Sequence, residues 1–155
     1  MDKLRRFQRL SAHEQWLLVQ GVVLLPVVSV ALRLGGFRRC QAALSRLARG
    51  KKSTGSSVSG ASIERARDVV RIVQAATRHG LCRATCLEQS LVLWWLLLRR
   101  GIPADLRMGV RKAERGVEAH AWVELGGVVL NDTDDVHQRY APFDRDIAAV
   151  TLEER

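Results

Sequence analysis

The stretch from Cys86 to Arg100, CLEQSLVLWWLLLRR, is apolar on nearly every face that a helix would present. A helix of that kind has no polar side to offer water, so it belongs in the middle of a domain. Thr85 stands where an N-cap belongs, Arg99, Arg100 and Gly101 supply end signals, and Pro103 prevents continuation. Beyond it the hydrophobic period falls from that of a helix to the alternation of a strand. Asp105–Lys112, Glu118–Leu125 and Val128–Asp132 read as strands, the last two joined across Gly126-Gly127. Ahead of it, Ser62 can cap a helix with Ile63, Ala66, Val69, Val70 and Val73 in one stripe, closed by His79-Gly80. Helices first and an antiparallel sheet after them give an α+β fold, with a central helix packed on the strands.

The front of the chain is helical as well. Residues 12–33 read as a helix bent at Pro26, opened by a capping box of Ser11 and Glu14 and ended by Gly35-Gly36. Phe37, Cys40, Leu44 and Leu47 then recur at the spacing of a short amphipathic helix. Residues 50–61, GKKSTGSSVSGA, have the composition of a flexible linker. The expected organisation is an N-terminal helical segment over 1–49, a linker over 50–61 and the principal folded unit over 62–155. At 155 residues these form one domain overall. The apolar run at 16–32, WLLVQGVVLLPVVSVAL, falls short of the roughly 20 residues of a membrane span, and Gln20, Pro26 and Ser29 interrupt it. It reads as a buried or partner-facing helix, with membrane contact by residues 16–32 the less favoured alternative.

Charge is unevenly distributed. Residues 1–115 carry 22 basic and seven acidic side chains, a net +15, whereas residues 116–155 carry three and nine, a net −6. A basic half suits anionic surfaces or acidic polypeptides. Nucleic acid is not implied, because zinc-finger spacing is absent and one Tyr and three Phe form no stacking platform. Three cysteines, Cys40, Cys82 and Cys86, are an odd number in a chain able to build its own core. That points to reduced thiols in a reducing, cytoplasmic compartment.

Cys86 begins the apolar helix, where free amides and the macrodipole favour a negative sulfur and can receive an oxyanion. A cysteine nucleophile also needs a base, and the base an orienting partner. His120 lies mid-strand between two alanines, and Asp132 lies twelve residues on. A two-residue turn at Gly126-Gly127 would set His120 opposite Thr133 and turn Asp132 to the other face. A three-residue loop, Leu125-Gly126-Gly127, or an equivalent bulge, sets His120 opposite Asp132, and that register is the expected one. Each residue also has a plain reading: Cys86 as a small buried hydrophobe, His120 as a structural histidine, Asp132 beside Asn131 as turn chemistry. A zinc site from His79, Cys82, Cys86 and His120 is a weaker arrangement, since the spacing is common by chance. The favoured reading needs no metal or cofactor.

The segments CLEQSLVLWWLLLRRGIPADLRMGVRK and AHAWVELGGVVLND resemble the transglutaminase-like leader peptidases of lasso-peptide biosynthesis. The resemblance covers about residues 80–135 closely and the helical front more loosely. It implies a transglutaminase-like, papain-like cysteine protease core with an N-terminal helical extension, and a catalytic triad of Cys86, His120 and Asp132. It implies as partners a precursor peptide, whose leader is cut away, and a macrolactam synthetase that closes the ring on the freed core. Residues 1–60 lack the strand-rich pattern of a fused leader-binding domain, so the resemblance is to the split form, which works with a separate leader-recognition protein. An acyl-transferring relative on the same scaffold and a non-catalytic scaffold joining precursor and cyclase are the competing readings.

Overall fold

The structure, a computed structural model, describes residues 12–48, 59–79, 84–114 and 116–142. Three helices precede the sheet: α1 (Ala12–Ala48), α2 (Gly60–His79) and α3 (Cys86–Leu98). The strands are β1 (Asp105–Ala113), β2 (Gly116–Leu125), β3 (Val128–Val129) and β4 (Ala141–Pro142), with a one-turn helix α4 (Val136–Arg139) ahead of the last. Every neighbouring pair is antiparallel and the order across the sheet is β3-β2-β1-β4.

α3 is the hub. Leu91, Val92, Leu93, Leu96 and Leu97 are all at most 1% exposed, because α1 and α2 pack on one side of this helix and the sheet on the other. Its two ends are closed as the sequence leads one to expect. Thr85 forms a complete capping box with Glu88, and Gly101, at φ 71°, lets Ile102 N–H return to the Leu97 carbonyl at 3.0 Å. The helix itself stops at Leu98, two residues short of the expected Arg100, and Arg99–Gly101 form the turn.

In α1 the break expected at Gly35-Gly36 is present as a single non-helical residue, Gly36, with φ 71° and ψ 171°. Pro26 lies inside the helix, and Ser11 and the Glu14 side chain lie outside the described residues. The inner face of α1, with Leu17, Leu25 and Val28, is buried. Trp16, Val19, Val23, Val27, Val30 and Leu34 form the outer face and stay exposed, from 44% for Val19 to 83% for Leu34. α1 is long and apolar enough to cross a membrane by length and composition, and in this fold one side of it is packed against α2 and α3. α2 begins at Gly60, inside the stretch read as linker, and its cap is Ser59 rather than Ser62. The Ser59 hydroxyl accepts the Ser62 amide, and Ser62 itself is buried at the first turn. The predicted stripe is otherwise intact, with Ala66, Val69, Val70 and Val73 in the core and Ile63 packed at its margin. Most of the linker, residues 50–58, falls outside the described residues.

The sheet has two differently furnished faces. Val123 and Leu125 of β2 join the core around α3, whereas Trp122 belongs to a second, smaller cluster with Val136, Tyr140 and Val129. By strand alternation His120 shares the Trp122 face. The second cluster exists because β4 returns to the outer edge of β1, pairing Gly109 with Pro142 and Val110 with Ala141. Neither α4 nor β4 was expected from sequence. Elements of four and two residues carry no period to read.

Gly109, opposite His120 in the β1–β2 ladder, is what lets Tyr140 approach. A Cβ there would stand 2.8 Å from the Ala141 carbonyl oxygen, 3.0 Å from Tyr140 Cβ and 3.1 Å from the Trp122 ring. Gly109→Ala is therefore expected to lower stability by about 1–3 kcal/mol through overpacking. The urea-unfolding midpoint checks it, and an unchanged midpoint would mean that β4 is not seated there.

Candidate active site

Cys86 is the first residue of α3, half-buried at the capped helix start. Glu88, the capping partner, accepts the Thr85 amide at 2.7 Å and a hydrogen bond from Ser29 of α1, and Arg33 of the same helix acts on its carboxylate through charge. Burial pushes the Glu88 carboxyl up, but the Ser29 and Thr85 hydrogen bonds and Arg33 outweigh it and hold the group below the usual carboxylate range. The front helix thus braces the end of α3 that carries the cysteine.

One turn after Cys86, on the same helix face, stands Ser90, which is fully buried. Its hydroxyl donates to the Ala121 carbonyl at 2.9 Å and accepts from Asn131 Nδ2 at 2.9 Å. Asn131 Oδ1 in turn accepts the Val123 amide at 2.7 Å, and the Leu130 amide donates to the Val123 carbonyl. These bonds exist because β3 is only two residues long, which would leave the β2 edge at Ala121–Val123 unpaired. They fix the Cys86-bearing face of α3 against the strand residue that adjoins His120.

The β2–β3 connection corrects the expected register. The turn has two residues, Gly126 and Gly127, with φ 56° and 84°, and the pairs are Glu124↔Val129 and Leu125↔Val128. Two left-handed glycines suit the tight hairpin whose twist matches the strands, so the three-residue loop does not form. β3 also stops at Val129 and does not reach Asp132. Had the ladder continued, Asp132 would point away from His120. Instead the Asn131 side chain takes the place of a backbone partner, the chain leaves the ladder, and Asp132 turns back to the His120 face. The departure does the work of the bulge that was the alternative expectation.

His120 Nε2 is hydrogen-bonded to Asp132 Oδ2. The other oxygen, Oδ1, accepts the Thr133 amide at 2.7 Å, the Thr133 hydroxyl at 3.2 Å and Arg139 Nη2 at 2.5 Å. Burial pushes the Asp132 carboxyl up, yet the Thr133 amide, His120 and Arg139 together hold it below the usual aspartate range. The imidazole ring lies over Tyr140 with centroids 4.8 Å apart and is flanked by Trp122 at 6.3 Å. Tyr140 donates its hydroxyl to Glu118 at 2.9 Å, and Arg111 forks onto the same carboxylate at 2.9 and 2.8 Å. Burial first, then the Glu118 carboxylate, raises the Tyr140 phenol above its ordinary value.

Of the three residues singled out, His120 and Asp132 are in direct contact, and Cys86 is placed at the helix start with no hydrogen bond to either among the described residues. Since Nε2 is engaged by the carboxylate, Nδ1 is the ring nitrogen left to exchange a proton with a thiol. Of the alternative zinc set, the Cys82 position and the His79 side chain lie outside the described residues. Sequence reasoning did not find Ser90, Asn131, Arg139 or Tyr140. Asn131 entered only as the neighbour of Asp132 in its plain reading as turn chemistry, and the other three had no spacing signal that set them apart.

This helix-and-sheet arrangement belongs to a known class. The transglutaminase-like superfamily matches residues 22–145, well over half of the chain, and the chain belongs to that superfamily. The superfamily includes cysteine proteases and transglutaminases, so membership points to chemistry of the cysteine-protease or acyltransferase type. No curated protein and no solved structure matches the chain.

A carboxylate held below its ordinary range contributes stability above the unfolded-state value, near 4, and loses it as pH falls through the folded value. Asp132→Asn should therefore be less stable than the parent at pH 6, with the difference shrinking as pH drops below about 4. Urea midpoints across that range test it. A difference independent of pH would show that the ionised carboxylate is not what the site holds.

Proposed function

We propose that the chain is a cysteine peptidase that removes the leader from a lasso-peptide precursor, with Cys86 as nucleophile, His120 as base and Asp132 as its orienting group. The single observation that carries the reading is the His120–Asp132 bond through Nε2, which leaves Nδ1 as the ring nitrogen available to a thiol partner. A capped helix start for Cys86, braced by α1, supports it, as does the resemblance of residues 80–135 to the lasso leader peptidases. The papain-like character of the core belongs to the same reading.

The steps follow from the groups involved. His120 takes the Cys86 proton, and the thiolate attacks the carbonyl carbon at the leader–core junction. Amides at the start of α3 receive the oxyanion. The C–N bond breaks, His120 returns the proton to the departing core amine, and the leader remains as a thioester on Cys86. Water, deprotonated by His120, releases the leader carboxylate and regenerates the thiol. The freed amine then goes to a macrolactam synthetase, and a separate leader-recognition protein presents the precursor. Cytoplasmic placement fits an odd number of cysteines, of which Cys40 and Cys86 are free thiols.

Incubating the chain with a precursor peptide and its leader-recognition partner, and weighing the products, tests the proposal. Cys86→Ala is expected to lower cleavage by roughly a thousandfold or more. Undiminished processing by that variant would make the protein a scaffold, and a product bearing an added amine instead of water would make it an acyltransferase.

A further inference from the structure

Asp132 sits in a bend where no strand ladder holds it, yet its carboxylate must keep one oxygen on His120. What restrains it comes from the short segment that follows. Arg139 Nη2 reaches Oδ1, the oxygen that His120 does not use, and the same nitrogen donates to the Thr133 hydroxyl at 2.9 Å. Arg139 Nε lies 3.3 Å from Asp135 Oδ2, an ion pair without a hydrogen bond. The segment is itself anchored: Val136 is fully buried in the Trp122 cluster, and His137 Nε2 lies 3.1 Å from the buried Glu124 carboxylate. The next residue, Tyr140, lies flat against the imidazole. Two consecutive side chains therefore grip the two members of the pair, the guanidinium on the carboxylate and the phenol on the ring.

We propose that Arg139 is a positioning residue, which clamps Asp132 Oδ1 so that Oδ2 stays on His120 Nε2 and the imidazole keeps the orientation in which it serves Cys86. This rests on the peptidase reading above. Arg139 touches neither substrate nor thiol; it acts through Asp132. Two effects of its removal are separable. Loss of the cation's charge disfavours the thiolate whatever stands at position 132, so it would act equally in the Asp132→Asn background. Loss of orientation frees the carboxylate from His120 and takes the imidazole away from the thiolate, and this effect needs Asp132. Clamping predicts that the second effect dominates. Among the described residues, the other charged or titratable groups facing the pair are Glu118 on β2, Arg111 on β1, Asp135 ahead of α4 and Tyr140 after it, and all of them are kept in the test.

The test needs no substrate. The full chain is alkylated with iodoacetamide across pH 4–9, and modification at Cys86 alone is followed by peptide mass spectrometry. In Arg139→Met the acid limb of the Cys86 rate is expected to move up by about one pH unit, a tenfold loss at pH values below the parent's midpoint. Arg139→Lys, which keeps the charge and a single donor, should fall between. In an Asp132→Asn background Arg139→Met should add no further change. An unmoved profile, a shift to lower pH, or an equal loss in the Asp132→Asn background overturns the proposal. If Arg139→Met fails to fold by far-UV circular dichroism, the Lys variant decides, and a parental profile there overturns it as well. A parent chain whose Cys86 behaves as an ordinary thiol refutes the peptidase reading itself, a result distinct from any of these.

Discussion

A strand edge that cannot find a strand is the constraint around which this site is built. β2 runs ten residues, but on its β3 side only Glu124 and Leu125 have ladder partners. Buried backbone groups left unpaired there would each cost on the order of 1–3 kcal/mol. The chain meets the need with side chains. Ser90 from α3 takes the Ala121 carbonyl, Asn131 takes the Val123 amide, and the two side chains bond each other. The repair locks a helix to a strand edge, and the locked pieces carry Cys86, His120 and Asp132 between them. Edge satisfaction and the meeting of His120 with Asp132 come from the same stretch of chain.

On the opposite face of β2, polar groups form a continuous line: Arg111, Glu118, Tyr140, then the His120 ring, Asp132 and Arg139. Cations end the line on both sides and carboxylates lie within it. Glu118 and Asp132 are both held below their usual ranges, Glu118 chiefly by its Arg111 hydrogen bonds and Asp132 against the opposing effect of burial. The aromatic stack gives His120 a fixed plane, and Gly109 leaves the space that makes the stack possible. Packing and electrostatics therefore constrain the same ring from different directions.

The front helix serves the site at a distance. Ser29 and Arg33 of α1 reach the capping glutamate of α3, so the placement of Cys86 depends in part on residues some fifty positions earlier. The remaining face of α1, from Trp16 to Leu34, presents large apolar side chains outward at helical spacing. Its inner face is that of an ordinary core helix, and it is the exposed outer face that makes the run apolar on more sides than a surface helix requires.

What the sequence by itself determined was local. The central helix was legible because Leu and Trp occupy nearly all its faces, and its start because Thr85 stands at an N-cap position, which put Cys86 at the helix tip; the closing partner, Glu88, came from the structure. The long β1 and β2 strands and the place of the turn between β2 and β3, though not its two-residue length, were legible for the same reason, since period and turn chemistry act between near neighbours. The meeting of His120 with Asp132 was not settled by counting residues, because strand arithmetic assumes a ladder that continues. Only the tertiary structure decided that Asn131 would replace a backbone partner and release Asp132 from the pleat. Likewise Ser90, Arg139 and Tyr140 acquire their meaning from partners 31, seven and 20 positions away, and contacts across such separations leave no period for a sequence to display.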